Sequence, residues 1–266
     1  MKKNILITGA SRGIGLATAK ALIKAGHMVI GTSRNPSQVS GLSFPLLTLD
    51  IQDDQSAFNC VEMAIARLGH IDVLINNVGY DLYAAAEEAS VAETIEQMDV
   101  NYFGTVRMTS AILPHMRSNG KGQIINISSI GGYLGLPFNS AYAASKYAVE
   151  GYSESLRLEL RQFNIDVSLI EPEAVATESL GTSLHSPKEP ISAYAPQRKK
   201  MVSSLVEMGS NSPVKPETVA RTVLKVISTP NPKLRYPVGN TARWLPVMKQ
   251  MLPQQWFERM MLNQFM

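Results

Sequence analysis

Short apolar runs separated by longer segments of helical period fill the first two-thirds of the chain, and this alternation restricts its fold more than any other feature. The runs near 4–8, 28–32, 45–49, 72–76, 123–128 and 165–170 have strand length. The patterns near 13–25, 54–68, 93–118 and 141–163 are long enough to cross back over a sheet. Such a sequence builds repeated βαβ units, and right-handed crossovers place helices on both faces of a parallel sheet. The fold class expected is α/β, a three-layer doubly wound parallel sheet. At 266 residues the chain is long for one unit, but folds of this class often run to that length. Residues 1–266 are read as a single domain with a C-terminal helical extension.

A net charge of +3, spread along the chain, gives no concentrated basic stripe, so nucleic acid is excluded as a partner and a small anionic ligand is favoured. The lone cysteine, Cys60, has no internal disulfide partner and is read as a buried small residue. Behind Lys2 and Lys3 the apolar run is only Ile5-Leu6-Ile7, too short for a signal-peptide core. No run approaches the ~18 apolar residues of a membrane span. The expectation is a cytoplasmic protein, with peripheral membrane contact left open.

Residues 178–215 carry Pro187, Pro190, Pro196 and Pro213 and the cluster Arg198-Lys199-Lys200, and are read as a mobile loop or substrate lid. A helix near 216–229 follows, opened by Pro216-Glu217, and then a short strand near 234–238. In the apolar extension, 241–266, Trp244, Leu245, Met248, Met251, Leu252, Trp256, Phe257, Met260 and Met261 recur at near-helical spacing. Pro246 and Pro253 favour two short helices over one long one. Three uses stay open for this tail: core packing, a wall for a bulky substrate, or a membrane interface with Lys249 and Arg259 toward the headgroups.

Directly after the first strand, "TGASRGIG" (Thr8 to Gly15) opens a helix. Gly9, Gly13 and Gly15 let backbone amides approach a pyrophosphate, and the helix N-terminus adds the positive end of its dipole. With Ser11, Arg12 and Ile14 this turn is the first half of a Rossmann-like cofactor site. An NAD site normally carries an acid about 20 residues beyond the glycines to hold the ribose hydroxyls. Here no Asp or Glu precedes Asp50, and Ser33 and Arg34 end the second strand. An arginine fork holds a 2′-phosphate, whereas an acid would repel it, so the cofactor expected is NADP(H).

Tyr142 and Lys146, four residues apart, share one face of a helix. A phenol titrates near ~10, and an ammonium beside it favours the phenolate, which suits Tyr142 to pass a proton to or from a substrate oxygen. Ser129, thirteen residues earlier at a strand end, can donate to the oxygen that gains charge, with Ser128 as its rival. These residues, the glycine turn, "NNVG" from Asn76 to Gly79 and "MDVNYFGTV" around Asn101 together resemble the short-chain dehydrogenase/reductase family over nearly the whole chain.

The resemblance implies a metal-independent oxidoreductase with Asn101, Ser129, Tyr142 and Lys146 as its catalytic group. Tyr142 and Lys146 would also contact the cofactor. It implies further cofactor contacts at Asp50 and the adjoining Ile51, at Asn77 and Gly79, and at Pro172 and Thr177. Val78 stands where the family has alanine, which calls for a local packing adjustment. Glu173 replaces the family's glycine, and either narrows the site, places a negative charge near the nicotinamide ring, or turns its side chain to solvent. "GGYLGLPFNSAYAASKYAVEG" and "RYPVGNTARWLPVMKQMLP" look like members resembling 17β-hydroxysteroid and retinol dehydrogenases, which implies a bulky apolar carbonyl or alcohol substrate. An acyl thioester or small ketone is the alternative substrate. Family habit, with Val106, Leu113, Ala144 and Ala148 giving the two long helices apolar character on more than one face, implies a homodimer or homotetramer.

Readings from other classes are weaker. The histidines at 27, 70, 115 and 185 fall in no hydrolase motif and there is no G-x-S-x-G elbow. No close His, Cys, Asp or Glu cluster has metal-ligand spacing. A non-catalytic NADP-binding sensor or scaffold remains the rival from another class, and relatives of that kind usually lack the tyrosine or the lysine present here.

Overall fold

The computed structural model describes residues 1–176 and 184–265. In chain order the first half runs β1 (Asn4–Ile7), α1 (Gly13–Lys24), β2 (Met28–Ser33), β3 (Leu46–Thr48), α2 (Asp54–Leu68), β4 (Val73–Asn76), β5 (Asp81–Leu82), α3 (Val91–Met98) and α4 (Gly104–Ser118). There follow β6 (Gly122–Ile127), α5 (Ser140–Leu160), β7 (Ile165–Pro172), β8 (Leu184–His185), α6 (Ala195–Ser210), α7 (Pro216–Ser228), β9 (Arg235–Val238), α8 (Asn240–Met251) and α9 (Gln254–Phe265). Seven strands form one parallel sheet in the order β3-β2-β1-β4-β6-β7-β9, and β5 pairs separately with β8.

The two-residue period of the strands sorts the core into two layers. Leu6, Leu74, Ile124 and Val167 pack against Cys60 and Val61 of α2, Met108 and Ile112 of α4, and Leu156 of α5. Their sequence neighbours Ile5, Ile7, Val73, Ile75 and Ile125 face the other way, against Ala19 and Leu22 of α1 and Val219 and Val223 of α7. The expected three-layer, doubly wound sheet is therefore the fold, and Cys60 is buried, with burial pushing its thiol up to about 12.

Three differences from the sequence reading bear on function. The pattern near 93–118 is not one regular helix: α3 starts at a capping box between Ser90 and Glu93, and a π-turn at Asp99–Phe103 separates it from α4. Of the stretch 178–215, residues 178–183 lie outside the described residues, and the rest is not loop throughout, since α6 occupies 195–210. Arg198 pairs there with the buried Glu88, which also accepts the N–H groups of Ala85 at 3.0 Å and Ile191 at 2.9 Å. Glu93 accepts the N–H of Lys188 at 2.9 Å. Two buried carboxylates thus fasten this segment to the domain. Finally, the tail forms two helices, as expected, but only Pro253 separates them; Pro246 lies inside α8.

The tail has two faces. Phe257, Met261 and Phe265 are buried against Tyr83, Leu134 and Phe138. Trp244 and Trp256 stay 66 % and 72 % exposed. Lys249 is turned back onto the domain, where Nζ donates to the Tyr133 carbonyl at 2.6 Å and the Tyr147 hydroxyl at 3.1 Å. No described helix is long and apolar enough to cross a membrane.

Candidate active site

The carboxyl ends of β1, β2, β4, β6 and β7 open onto one cavity of about 1140 Å³. Crevices at this edge are where doubly wound sheets hold ligands.

On the β1 side, Gly9 and Gly13 adopt positive φ values of 66° and 56°, which bends the chain sharply into α1. Gly15 has no room for a side chain: a Cβ there would lie 2.2 Å from the Gly9 carbonyl and 2.6 Å from Asn77 Nδ2. Asn77 ties the turn to β4, its Nδ2 donating to the carbonyls of Thr8 at 2.9 Å and Gly9 at 3.1 Å. Val78 packs beside it, its Cγ2 lying 2.9 Å from where a Gly9 Cβ would be. Arg12 caps α1 through its backbone, its carbonyl accepting the Leu16 N–H at 3.2 Å, and no cap side chain occupies the first-turn amides. This cradle fits a pyrophosphate.

Ser11, Ile14, Ser33, Arg34, Asp50, Ile51, Gly79 and Pro172 line the same cavity with the turn, and Gly15 sits behind it. Arg12 and Arg34 are exposed at its rim. Asp50 is exposed, and its Oδ1 accepts the N–H of Gln52 at 3.1 Å. Ile51 is buried against Gly104, whose Cβ, if present, would be 2.4 Å from Ile51 Cγ1. Thr177 lies outside the described residues.

At the β6 end, Ser129 leaves the sheet in extended backbone and its Oγ accepts the Gly131 N–H at 3.1 Å. Its hydroxyl faces that of Tyr142, whereas Ser128 faces Glu150. Gly131 makes room for the phenol, since a Cβ there would stand 2.9 Å from Tyr142 Cε1. One turn along α5, Lys146 is buried, with Nζ donating to the Ile127 carbonyl at 3.0 Å and standing 5.8 Å from the centre of the Tyr142 ring. Asn101, in the π-turn, exchanges hydrogen bonds with the backbone of Tyr80, Oδ1 accepting its N–H and Nδ2 donating to its carbonyl, both at 3.0 Å. Asn101 Nδ2 also donates to Ser145 Oγ at 3.0 Å, which fixes α5 between Tyr142 and Lys146. π-turns of this sort recur at functional sites.

Burial pushes the Tyr142 phenol well above its ordinary value, and the carboxylate of Asp81 adds to the rise while Ser129 opposes it. Burial lowers Lys146, against the opposing pull of Asp81 and Glu150. Sequence reasoning passed over Asp81, although an acid inside the run "VGYDLYAAA", two residues beyond the glycine of "NNVG", is a usable signal.

Glu173 lines the cavity, and its carboxylate is engaged by backbone instead of being left to solvent. Its Oε2 accepts the N–H groups of Thr241 at 2.7 Å and Ala242 at 3.4 Å, so it supplies the first turn of α8 with an acceptor. Gly239, at φ 108°, passes so close to this side chain that a Cβ would lie 2.1 Å from Glu173 Cδ. Among the described residues no group of three His, Cys, Asp or Glu side chains could hold a metal ion.

A parallel sheet with a glycine turn at its first strand, and a serine, tyrosine and lysine gathered at the same edge, defines a Rossmann-type oxidoreductase. The short chain dehydrogenase family model matches residues 3–187, and the chain belongs to that family. The chain is 39 % identical over 256 residues to the 3-ketodihydrosphingosine reductase of Bacteroides thetaiotaomicron, covering 91 % of this chain and 93 % of that one. It is 35 % identical over 262 residues to human retinol dehydrogenase 8, covering 88 % and 80 %. Among solved structures, a short-chain dehydrogenase from Streptomyces avermitilis superposes with a TM-score of 0.82 at 32 % identity, covering 98 % of both chains. ElxO with NADP bound superposes with a TM-score of 0.74 at 25 % identity, covering 91 % of this chain and 99 % of that one.

Proposed function

We propose that this protein is an NADP(H)-dependent oxidoreductase that interconverts a carbonyl and an alcohol on a bulky apolar substrate, with Tyr142 as general acid and base. One observation carries the reading: the Ser129, Tyr142 and Lys146 side chains stand in the same cavity as the glycine turn, and its far wall is apolar. Leu134, Leu205, Met261 and Phe265 supply that wall.

When bound, the cofactor supplies the hydride or accepts it. The residues of the chain do the rest. The turn from Gly9 to Gly15 holds the pyrophosphate, Arg12 and Arg34 take the 2′-phosphate, and Asp50, Ile51, Asn77, Gly79, Pro172 and Thr177 complete the contacts. Ser129 donates to the substrate oxygen as charge gathers there. Tyr142 gives its phenolic proton to that oxygen in reduction and takes it back in oxidation. Lys146 steadies the phenolate by its charge, and Asn101 holds α5 in register.

The relatives support an apolar substrate, since one is named for 3-ketodihydrosphingosine and another for retinol. The reading includes a lid at 178–215, a cytoplasmic setting, and an assembly of two or four copies through α4 and α5, where Phe103, just before α4, and Tyr147, on α5, are 46 % and 43 % exposed. NADPH consumption over a panel of long-chain ketones, retinoids, steroids, acyl thioesters and small ketones tests it. Oxidation that requires a bulky ketone and vanishes in Tyr142→Phe is the expected result. Retained cofactor binding without turnover of any carbonyl would make the protein a sensor.

A further inference from the structure

We propose that the Asp81 carboxylate binds a protonated amine of the substrate, so that the site takes long-chain carbonyls or alcohols with an amino group on the carbon next to the reacting one. This rests on the catalytic reading above, which puts the substrate oxygen at Tyr142.

The placement of Asp81 is fixed by the backbone. It lies in β5, whose register against β8 pairs Asp81 with Leu184 and Leu82 with His185. The carboxylate lines the cavity, and its Oδ2 accepts the hydroxyl of the buried Tyr83 at 3.3 Å. It also faces the Tyr142 hydroxyl and the Lys146 ammonium. Lys146 makes no ion pair with it, having turned Nζ to the Ile127 carbonyl. Among the described residues Asp81 therefore meets two phenols and a cation beyond pairing distance. A half-buried carboxylate left in that condition keeps acceptor positions without a partner among the described residues, and it lines the same cavity as Tyr142, where the substrate oxygen is read to sit.

The electrostatics agree with this assignment. A negative neighbour raises the Tyr142 phenol, the opposite of what proton transfer near neutral pH requires. Burial pushes Asp81 itself up to about 6. A cationic group on Asp81 removes both penalties at once, because it favours the carboxylate and cancels its effect on the phenol. An amine next to the carbonyl has the reach to touch Asp81 while the oxygen touches Tyr142. A substrate without a cation leaves the carboxylate to compete with its oxygen for the phenolic proton. Beyond this polar corner the wall passes to Leu134, Leu205, Met261 and Phe265, which suits an alkyl chain.

The test compares two pairs of probes. In turnover, a long-chain 2-amino-3-ketone and the ketone of equal length without the amine are reduced with NADPH by the wild type and by Asp81→Asn. The wild type is expected to favour the amino ketone in kcat/KM by about tenfold or more, the usual worth of a hydrogen bond to a charged group, and Asp81→Asn to erase that preference. Equal losses on both ketones would mean that Asp81 acts only through Tyr142, which overturns the proposal. In binding, the cofactor-loaded wild type is titrated calorimetrically with a long-chain 2-amino alcohol and its N-acetyl form. Tighter binding of the free amine is expected, and equal binding, or none, overturns the amine site whether or not the variant folds. A binding preference without turnover would leave the amine site standing and remove the catalytic reading. Turnover without a preference would do the reverse.

Discussion

The Glu173 carboxylate accepts the Thr241 backbone N–H at 2.7 Å, so the loop that follows β7 caps the first helix of the C-terminal extension. A glycine at this position, as in the family pattern, could not do so. Glu173→Gly is expected to cost about 1–2 kcal/mol, the worth of a lost helix cap. Hydrogen exchange should show the Thr241 and Ala242 amides opening faster while those of β1 and β4 keep their protection.

Tyr142→Phe removes one oxygen and leaves the packing against Gly131 in place. Turnover should fall by at least ~100-fold, the usual contribution of general acid–base catalysis. NADPH titration by fluorescence should show binding within a factor of a few of the wild type. Near-normal turnover would remove Tyr142 from the mechanism.

Arg34 stands exposed at the cavity rim beside Ser33, at the end of β2. Charge-assisted hydrogen bonds to a phosphate are worth ~1.5–3 kcal/mol each, so Arg34→Ala should weaken NADPH more than tenfold and leave NADH nearly unchanged. Equal weakening of both cofactors in parallel titrations would show that Arg34 reads something other than the 2′-phosphate.

Glu88 fastens α6, and its titration sets how that hold depends on pH. Burial pushes its carboxyl up, but the amides of Ala85 and Ile191 and the Arg198 guanidinium outweigh this and hold it below the usual range. A carboxyl depressed in the fold stabilises above the unfolded value, about 4.3, and loses that stabilisation as pH falls through the folded one. Glu88→Gln is therefore expected to lower stability by about 2 kcal/mol at neutral pH, with the gap from wild type closing in acid. Thermal melts at pH 7 and pH 3.5 check this; a gap that widens in acid contradicts it.

How far the sequence discloses this molecule depends on the range of the interaction. The strands, the turn at Gly9–Gly15 and the Tyr142–Lys146 pair are legible because period and spacing are local, and the structure places them together. Helix α6 was hidden because its hold comes from Arg198 meeting Glu88 across 110 residues, not from its own weak apolar pattern. The meaning of a carboxylate is equally non-local: Glu173 and Asp81 acquire theirs from Thr241, Tyr142 and Lys146, partners that spacing cannot indicate. The π-turn at Asn101 was masked because its residues continue the helical apolar pattern.

Both tryptophans of the chain, Trp244 and Trp256, lie on the outer face of the extension, largely in water. Indole emission from the native protein should accordingly be red-shifted already, and melting the sheet will change it little. The intrinsic signal is a reporter of that face alone. A shift to the blue would mark the moment when something dry, a lipid surface or another copy of the chain, settles over it, with no label needed and no contribution from the domain beneath.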